Sequence, residues 1–168
     1  WRNRQIRSAS MSNPEIVPTI KASASRQGRI LVIDDDAAVR DSLEVYLVQA
    51  GYEVMTAADG HQGLLLTLQQ QPDLVLCDLR MPHIDGMSLL KELSHRAEDT
   101  PVIVISGAGE MADVVEALRL GARDYFIKPL ADMGLLEHAI ERSMEEVRLR
   151  RDNIRYREQL EEANRKLE

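Results

Sequence analysis

The sequence is poor in cysteine and lacks long apolar stretches, and each absence excludes a class of protein. Cys77 is the only cysteine among 168 residues, so neither an internal disulfide nor a multi-cysteine metal site can form. The longest apolar runs have four or five residues, far fewer than the ~20 needed to span a bilayer. The chain also opens without the basic and apolar pattern of a secretory signal. These features predict a cytoplasmic protein that makes no membrane contact.

The net charge of −7 conceals a segregation of charge along the chain. Residues 1–29 carry six basic groups against one acidic group, and residues 141–168 carry eight of each sign. Residues 30–140 hold 7 basic and 19 acidic groups. A body this acidic repels nucleic acid, so no nucleic-acid partner is expected. It attracts a divalent cation wherever its carboxylates converge.

Short apolar runs alternate with segments of helical spacing through the middle of the chain. The runs are residues 30–33, 54–57, 74–77, 102–105 and 125–127. Runs that are apolar at consecutive positions are typical of strands buried on both faces, and their alternation with helices is typical of a parallel sheet covered on each side. The pattern predicts a doubly wound α/β domain over residues 29–140. Residues 1–28, rich in serine and basic groups, are predicted to be a flexible leader.

Local signals support these boundaries. Gly51 and Gly121 follow helical segments, where a left-handed backbone favours glycine. Asp36 and Asp59 precede helical segments and are candidates for N-caps. The fourth helical segment has an apolar stripe that includes Val115 and is expected to face the core. The stripe consists of Val114, Val115, Leu118 and Leu120.

A helical pattern begins after Pro129 and continues to the last residue. Apolar positions that can pack onto the sheet are followed by a change of phase into a heptad pattern. The heptad positions are Leu149, Asn153, Tyr156, Leu160, Ala163 and Leu167. Two interpretations are open: a solvated connector, or the favoured parallel homodimeric coiled coil, in which Asn153 fixes register and chain number. Residues 141–168 are therefore predicted to be a helical linker, truncated before an output domain.

Polar side chains follow four of the five predicted strands. They are Asp34, Asp35 and Asp36 after the first, Asp78 after the third, Ser106 after the fourth and Lys128 after the fifth. Because ligands bind beyond the carboxyl ends of parallel strands, these groups should converge. Adjacent carboxylates need a cation, and Mg²⁺ prefers oxygen ligands. A metal ion, a lysine and a hydroxyl together form a site for phosphoryl chemistry.

Four segments of the sequence resemble the signature segments of response-regulator receiver domains. They are ILVIDDD (30–36), LVLCDLRMPHIDGM (74–87), VIVISGAG (102–109) and DYFIKPL (124–130). The resemblance implies a flavodoxin-like, five-stranded parallel sheet of order 2-1-3-4-5 with five helices. Residues 100–130 are similar, in particular, to receivers that regulate the stationary-phase sigma factor.

The resemblance also implies the chemistry of the site. Asp78 would accept a phosphoryl group from the phosphohistidine of a sensor histidine kinase or phosphotransfer protein. Asp35 and Asp78, with the backbone carbonyl of Arg80, would bind Mg²⁺, and Asp34 would act through water. The chain would then be a signalling domain rather than an enzyme, with at most self-phosphorylation and autodephosphorylation.

The resemblance further implies a switch. Ser106 would donate a hydrogen bond to the bound phosphoryl group, and Lys128 would pair with its charge. Tyr125 would swing inward when Ser106 moves, and the long C-terminal helix would relay the change to an output module. The peptide bond between Lys128 and Pro129 is expected to be cis.

Two other functions share parts of this pattern. Haloacid-dehalogenase-like phosphohydrolases use an Asp-x-Asp motif, as in Asp34 to Asp36, followed by Ser/Thr and Lys. Their second acidic pair follows the lysine, whereas no acidic pair follows Lys128 and no cap insertion is evident. A flavin-binding module would hold phosphate in the loop after the first strand, where three aspartates would repel it. Both functions fit the sequence less well than a receiver.

Overall fold

The computed structural model describes residues 27–81, 86–107 and 111–166, and it contains a five-stranded parallel sheet of order β2-β1-β3-β4-β5. The elements are β1 Arg29–Ile33, α1 Ala37–Gln49, β2 Glu53–Ala57, α2 Gly60–Gln70, β3 Leu74–Cys77, α3 Gly86–Arg96, β4 Val102–Ser106, α4 Met111–Arg119, β5 Asp124–Ile127 and α5 Met133–Arg165. The fold is therefore the predicted flavodoxin-like one. Of the predicted leader, all but its last two residues lies outside the described part.

Alternate residues of each central strand point to opposite faces of the sheet, and each face has its own core. Ile30 and Val32 of β1 pack with residues of α1 and α5. Leu31 and Ile33 belong to the core on the other face, which includes residues of α2 and α3. This two-sided covering explains why consecutive positions of β1 are apolar.

The prediction that all five strands are buried on both faces is wrong for the two edge strands. β1, β3 and β4 are buried at nearly every position, whereas β2 and β5 are mostly half-buried. Ile127, the last residue of β5, is 55% exposed. An edge strand has a neighbour on one side only, so solvent reaches residues that the sequence pattern alone assigns to the core.

The predicted helix boundaries are confirmed by their capping contacts. Asp36 Oδ1 accepts a hydrogen bond of 2.8 Å from the backbone N–H of Ala38, and Asp59 caps α2 in the same way through Gln62. Gly51 and Gly121 have φ values of +99° and +105°, the left-handed conformation expected of them. These contacts fix where each helix starts and where the chain turns back to the sheet.

The predicted apolar stripe of α4 faces the core only in part, since Leu120 packs against the core while two other residues of the stripe are exposed. Ala117 is the buried residue of this helix, while Val115 and Leu118 are 42% and 46% exposed. Val114 and Leu120 are half-buried at the sides of the contact. The helix rests on the sheet through a small side chain, and Val115 and Leu118 extend into solvent.

Helix α5 is a continuous element of 33 residues. Asp132 caps its start by accepting hydrogen bonds from the backbone of Gly134 and Leu135. Its buried residues end at Val147, and the residues that follow are largely exposed. Leu167 lies outside the described residues. Across the described ranges, no helix combines the length and apolar character needed to cross a membrane.

Candidate functional site

The hydrogen-bond ladder of the sheet continues one residue beyond the strands and positions the polar side chains. The backbone N–H of Asp78 donates to the carbonyl of the last residue of β1 at 2.8 Å. The backbone N–H of Lys128 donates to the carbonyl of Ser106, also at 2.8 Å. Each of these residues is therefore held beside the end of a neighbouring strand. This geometry brings the predicted residues to one edge of the sheet.

Three aspartates form an acidic cluster at this edge. One carboxylate oxygen from each of Asp34, Asp35 and Asp78 lies within 4.8 Å of the others. Asp34 and Asp78 are 2% and 5% exposed, while Asp35 is exposed to solvent. Asp36 belongs to the same sequence run but turns away to cap α1. Two buried carboxylates and an exposed third one form a donor set suited to a hard divalent cation.

Lys128 bridges the two buried carboxylates. Its Nζ lies 2.6 Å from Asp34 Oδ2 and 2.7 Å from Asp78 Oδ2. Burial alone would lower the pKa of Lys128, but the hydrogen bonds to both carboxylates outweigh it and raise the pKa. Burial raises the pKa of Asp34 even though Lys128 opposes the change. One ammonium group therefore does not fully compensate for the burial of the Asp34 carboxylate, which favours an additional cation at the site.

Backbone and side-chain donors hold the carboxylates in place. The backbone N–H of Arg80 donates to Asp78 Oδ1 at 2.9 Å, and that of Asp36 donates to Asp34 Oδ1 at 2.9 Å. Arg40, in the first turn of α1, donates to the backbone carbonyl of Asp34 at 2.7 Å. Arg40 could not be identified as a site residue from the sequence, because an arginine in a helix carries no motif that distinguishes it.

Two buried hydroxyl groups, one on β4 and one on β5, have no hydrogen-bond partner among the described residues. They belong to Ser106, which is 1% exposed, and to Tyr125. A buried unpaired hydroxyl costs about 1–3 kcal/mol. The Ser106 hydroxyl is thus available to an acceptor oxygen brought to the strand ends. The ring of Tyr125 already packs against the core on the α3 side of the sheet.

The expected cis bond is present between Lys128 and Pro129. Beside it, an apolar groove separates α1 from the segment that follows β5. Its lining is Ala38, Val39, Ser42, Leu43, Tyr46, Lys128, Pro129, Leu130 and Met133. Because Lys128 contributes to both, the groove is continuous with the acidic cluster.

The start of α3 lies directly against the main chain that follows β3. The backbone N–H of Gly86 donates to the carbonyl of Leu79 at 3.0 Å. A Cβ atom on Gly86 would lie 2.6 Å from the Leu79 oxygen and 2.7 Å from the Asp78 oxygen. Only glycine allows this approach, so Gly86 helps to position the loop that carries Asp78.

Comparison with known proteins identifies relatives of two kinds. The Probable transcriptional regulator ycf27 of Guillardia theta is 40% identical over 107 residues, which are 64% of this chain and 42% of that protein. The Regulator of RpoS of Escherichia coli K12 is 38% identical over 112 residues, 67% of this chain and 33% of that protein. RpaA of Synechocystis, a DNA-binding dual master transcriptional regulator, is 41% identical over 103 residues, 60% of this chain and 43% of that protein. The chain spans less than half the length of these relatives.

Solved structures show the same fold. A response regulator receiver domain from Clostridium thermocellum superposes with a TM-score of 0.67 at 31% identity, covering 72% of this chain and 97% of that one. NtrX from Brucella abortus superposes with a TM-score of 0.71 at 34% identity, covering 77% and 29%. Residues 30–141 match the family described as Response regulator receiver domain. With this match over the strands and the strand-end cluster, the chain belongs to the response regulator receiver domains of two-component signalling.

Proposed function

We propose that this chain is a phosphorylation-switched receiver in which Asp78 accepts a phosphoryl group from the phosphohistidine of a sensor kinase or phosphotransfer protein. The observation that carries the proposal is the convergence at one sheet edge of three carboxylates, the Lys128 ammonium group and the unpaired hydroxyl of Ser106. Each group matches one requirement of phosphoryl transfer: a nucleophile, charge neutralisation and hydrogen-bond donation.

In the proposed transfer, a carboxylate oxygen of Asp78 bonds to phosphorus while the bond from phosphorus to the donor imidazole nitrogen breaks. The imidazole leaves with the electron pair of that bond and then takes up a proton from water. Asp35, Asp78 and the Arg80 carbonyl would hold Mg²⁺, with Asp34 acting through water. The ion supplies positive charge that neutralises the phosphoryl oxygens. Lys128, already within 2.7 Å of Asp78, would pair with the remaining charge.

The switch would follow from the added charge. A phosphoryl group brings about −1.5 to −2 charges and three acceptor oxygens, in place of the single charge of the Asp78 carboxylate. Ser106 would donate to one of these oxygens, and its movement would let Tyr125 repack. The surface of α4, β5 and α5 would change with it, and α5 would relay the change to an output module. Phosphorylation must favour one of two states by a few kcal/mol for this relay to operate.

Titration calorimetry with Mg²⁺ tests the metal site. We expect Asp35→Asn to weaken binding by roughly tenfold or more, because it removes a charged ligand from the cluster. Asp36→Asn is the matched control: its side chain caps α1, and asparagine caps as well as aspartate. Equal Mg²⁺ affinity in both variants would place the metal away from Asp35.

The groove beside Lys128 is the surface that we propose for the phosphohistidine donor. The donor must bring its imidazole to Asp78, so it must cover the same edge of the sheet. An apolar groove continuous with that edge fits the apolar face of a helix that carries the phosphohistidine. The partner would thus contact α1 and the segment after β5.

Ala38→Arg places a long charged side chain in the groove. We expect it to slow transfer from a phosphorylated histidine phosphotransfer protein that serves the wild-type chain, by roughly tenfold. Phosphorylation by acetyl phosphate, which needs no docking surface, should be unchanged. Val48→Arg is the control, because Val48 is a 54% exposed residue of α1 outside the groove. A wild-type rate of phosphoryl transfer from the phosphotransfer protein to Ala38→Arg would show that the donor does not dock in the groove.

We also propose that the tail of α5 dimerises as a parallel coiled coil and joins the receiver to an output domain. Leu149, Tyr156 and Leu160 are 54%, 58% and 65% exposed, a seam without a partner within the described chain. Asn153 lies on the same stripe and would fix the register.

Sedimentation of the chain over a range of concentrations tests the dimer. We expect association that Leu160→Glu abolishes, since a charge replaces an apolar seam residue. Glu158→Gln, a change off the seam, should leave association as in wild type. A wild-type monomer at high concentration, with and without the phosphoryl mimic beryllofluoride, would contradict the proposal.

Similarity to the Regulator of RpoS supports a role in sigma-factor or stress-response control, which we propose takes place in the cytoplasm. The acidic body is still predicted not to contact nucleic acid. RpaA is described as DNA-binding, but the residues that match this chain make up 43% of that protein. The output of the whole protein is best tested by placing the receiver beside its natural C-terminal neighbour and measuring sigma-factor-dependent transcription.

A further inference from the structure

An ion pair joins the loop that follows Asp78 to helix α4. Arg80 Nη2 lies 2.8 Å from Asp113 Oδ2, and the two side chains are 61% and 35% exposed. Asp113 lies in the first turn of α4. The contact therefore joins the loop after β3 to the first turn of α4.

The same arginine begins at the acceptor. Its backbone N–H donates to Asp78 Oδ1 at 2.9 Å, so the side chain starts beside the carboxylate and turns away to Asp113. The other cations near the acceptor are engaged with buried groups. Lys128 bridges Asp34 and Asp78, and Arg40 donates to the Asp34 carbonyl. Arg80, in contrast, pairs at the surface with the Asp113 carboxylate and can leave it for another anion.

Helix α4 is held to the body by few buried contacts. Ala117 is its buried residue, and Met111, which begins the helix, is 76% exposed. The pair of Asp113 with Arg80 is one contact, among the described residues, that holds the first turn of the helix. Exposed ion pairs are weak, so a stronger anion can displace this one.

We propose that Asp113 is a positioning residue that holds the Arg80 guanidinium away from the acceptor. When Asp78 carries a phosphoryl group, the guanidinium leaves Asp113 and pairs with that group, which releases the first turn of α4. This inference rests on the proposed phosphorylation of Asp78. A phosphoryl group carries about twice the charge of a carboxylate, and guanidinium matches its oxygens in a bidentate geometry. The two anions therefore compete for one side chain.

The competition predicts a defined pattern of affinities for beryllofluoride in saturating Mg²⁺. Asp113→Asn should bind the mimic about two- to five-fold more tightly than wild type, since exposed ion pairs contribute effects of that size. In an Arg80→Gln background, Asp113→Asn should change nothing, because the competing side chain is gone. A purely structural role for Asp113 would give the same effect in both backgrounds.

Asp124→Asn is the matched control. Arg142 Nη2 lies 2.9 Å from Asp124 Oδ2, with side chains 68% and 34% exposed, so its distance and exposure match those of the tested pair. This pair lies between β5 and α5, away from the acceptor. We expect Asp124→Asn to bind the mimic as wild type does.

Hydrogen exchange of residues 111–119 gives an independent readout. In wild type, exchange should rise when the mimic binds, whereas in Asp113→Asn it should already be high without the mimic. Equal affinity of wild type and Asp113→Asn, or an equal change in both Arg80 backgrounds, would overturn the inference while leaving Asp78 phosphorylation intact. Failure of every variant, wild type included, to bind the mimic would instead overturn the proposed function.

Discussion

Asp78→Asn is expected to abolish uptake of a phosphoryl group from acetyl phosphate. The amide has no anionic oxygen to attack phosphorus, although it keeps the shape of the side chain, and its single oxygen can still accept one of the two hydrogen bonds that Arg80 and Lys128 donate to Asp78. Intact-mass analysis after incubation with acetyl phosphate and Mg²⁺ measures the effect. Wild type should gain one phosphoryl group, and the variant should gain none.

The control for this experiment lies in the neighbouring loop. Asp36→Asn changes an aspartate that caps α1 and does not belong to the acidic cluster, so it should be phosphorylated as wild type is. Thermal unfolding of Asp78→Asn should remain cooperative, which separates loss of the nucleophile from loss of the fold. Phosphorylation that persists in Asp78→Asn would assign the acceptor to another residue.

Gly86→Ala is expected to lower the free energy of unfolding by about 1–3 kcal/mol and to slow phosphorylation as well. The added methyl group would meet the main chain of Leu79 and the carbonyl oxygen of Asp78, which cannot rotate away as a side chain can. The loop that carries the acceptor must shift. Chemical denaturation measures the first effect, and the rate of phosphoryl uptake measures the second.

Two other glycines serve as controls for this variant. A Cβ on Gly107, adjacent to Ser106, would meet no atom of the described residues within 4 Å apart from its chain neighbours, so Gly107→Ala should change neither stability nor rate appreciably. A Cβ on Gly63 would meet the side chain of Ile33, so Gly63→Ala should destabilise the fold without slowing phosphorylation more than that loss explains. Wild-type stability and rate in Gly86→Ala would show that the loop tolerates the displacement.

The strand-end cluster could be anticipated because it follows from topology. Parallel strands end at the same edge, so Asp34, Asp78, Ser106 and Lys128 had to converge once the five strands were recognised. The caps of α1 and α2 were likewise readable, because Asp36 and Asp59 act within three residues of their own positions. Contacts set by local geometry or by strand order are encoded in short patterns.

Other features depend on how elements pack, and short patterns do not encode them. The way in which α4 packs on the sheet decides that Ala117 is buried and Val115 is exposed. The pair of Arg80 with Asp113 joins residues 33 positions apart, and nothing in the sequence marks either as the partner of the other. Ile154, an exposed apolar residue of α5, lies off the predicted heptad seam and was not anticipated.

The most direct test of the account is to map the site of phosphorylation by tandem mass spectrometry after treating the wild-type chain with acetyl phosphate, with Mg²⁺ and with a chelator. The account predicts one phosphoryl group, located on Asp78 and formed only when Mg²⁺ is present. A phosphoryl group on any other residue, or the same yield without the metal, would contradict it.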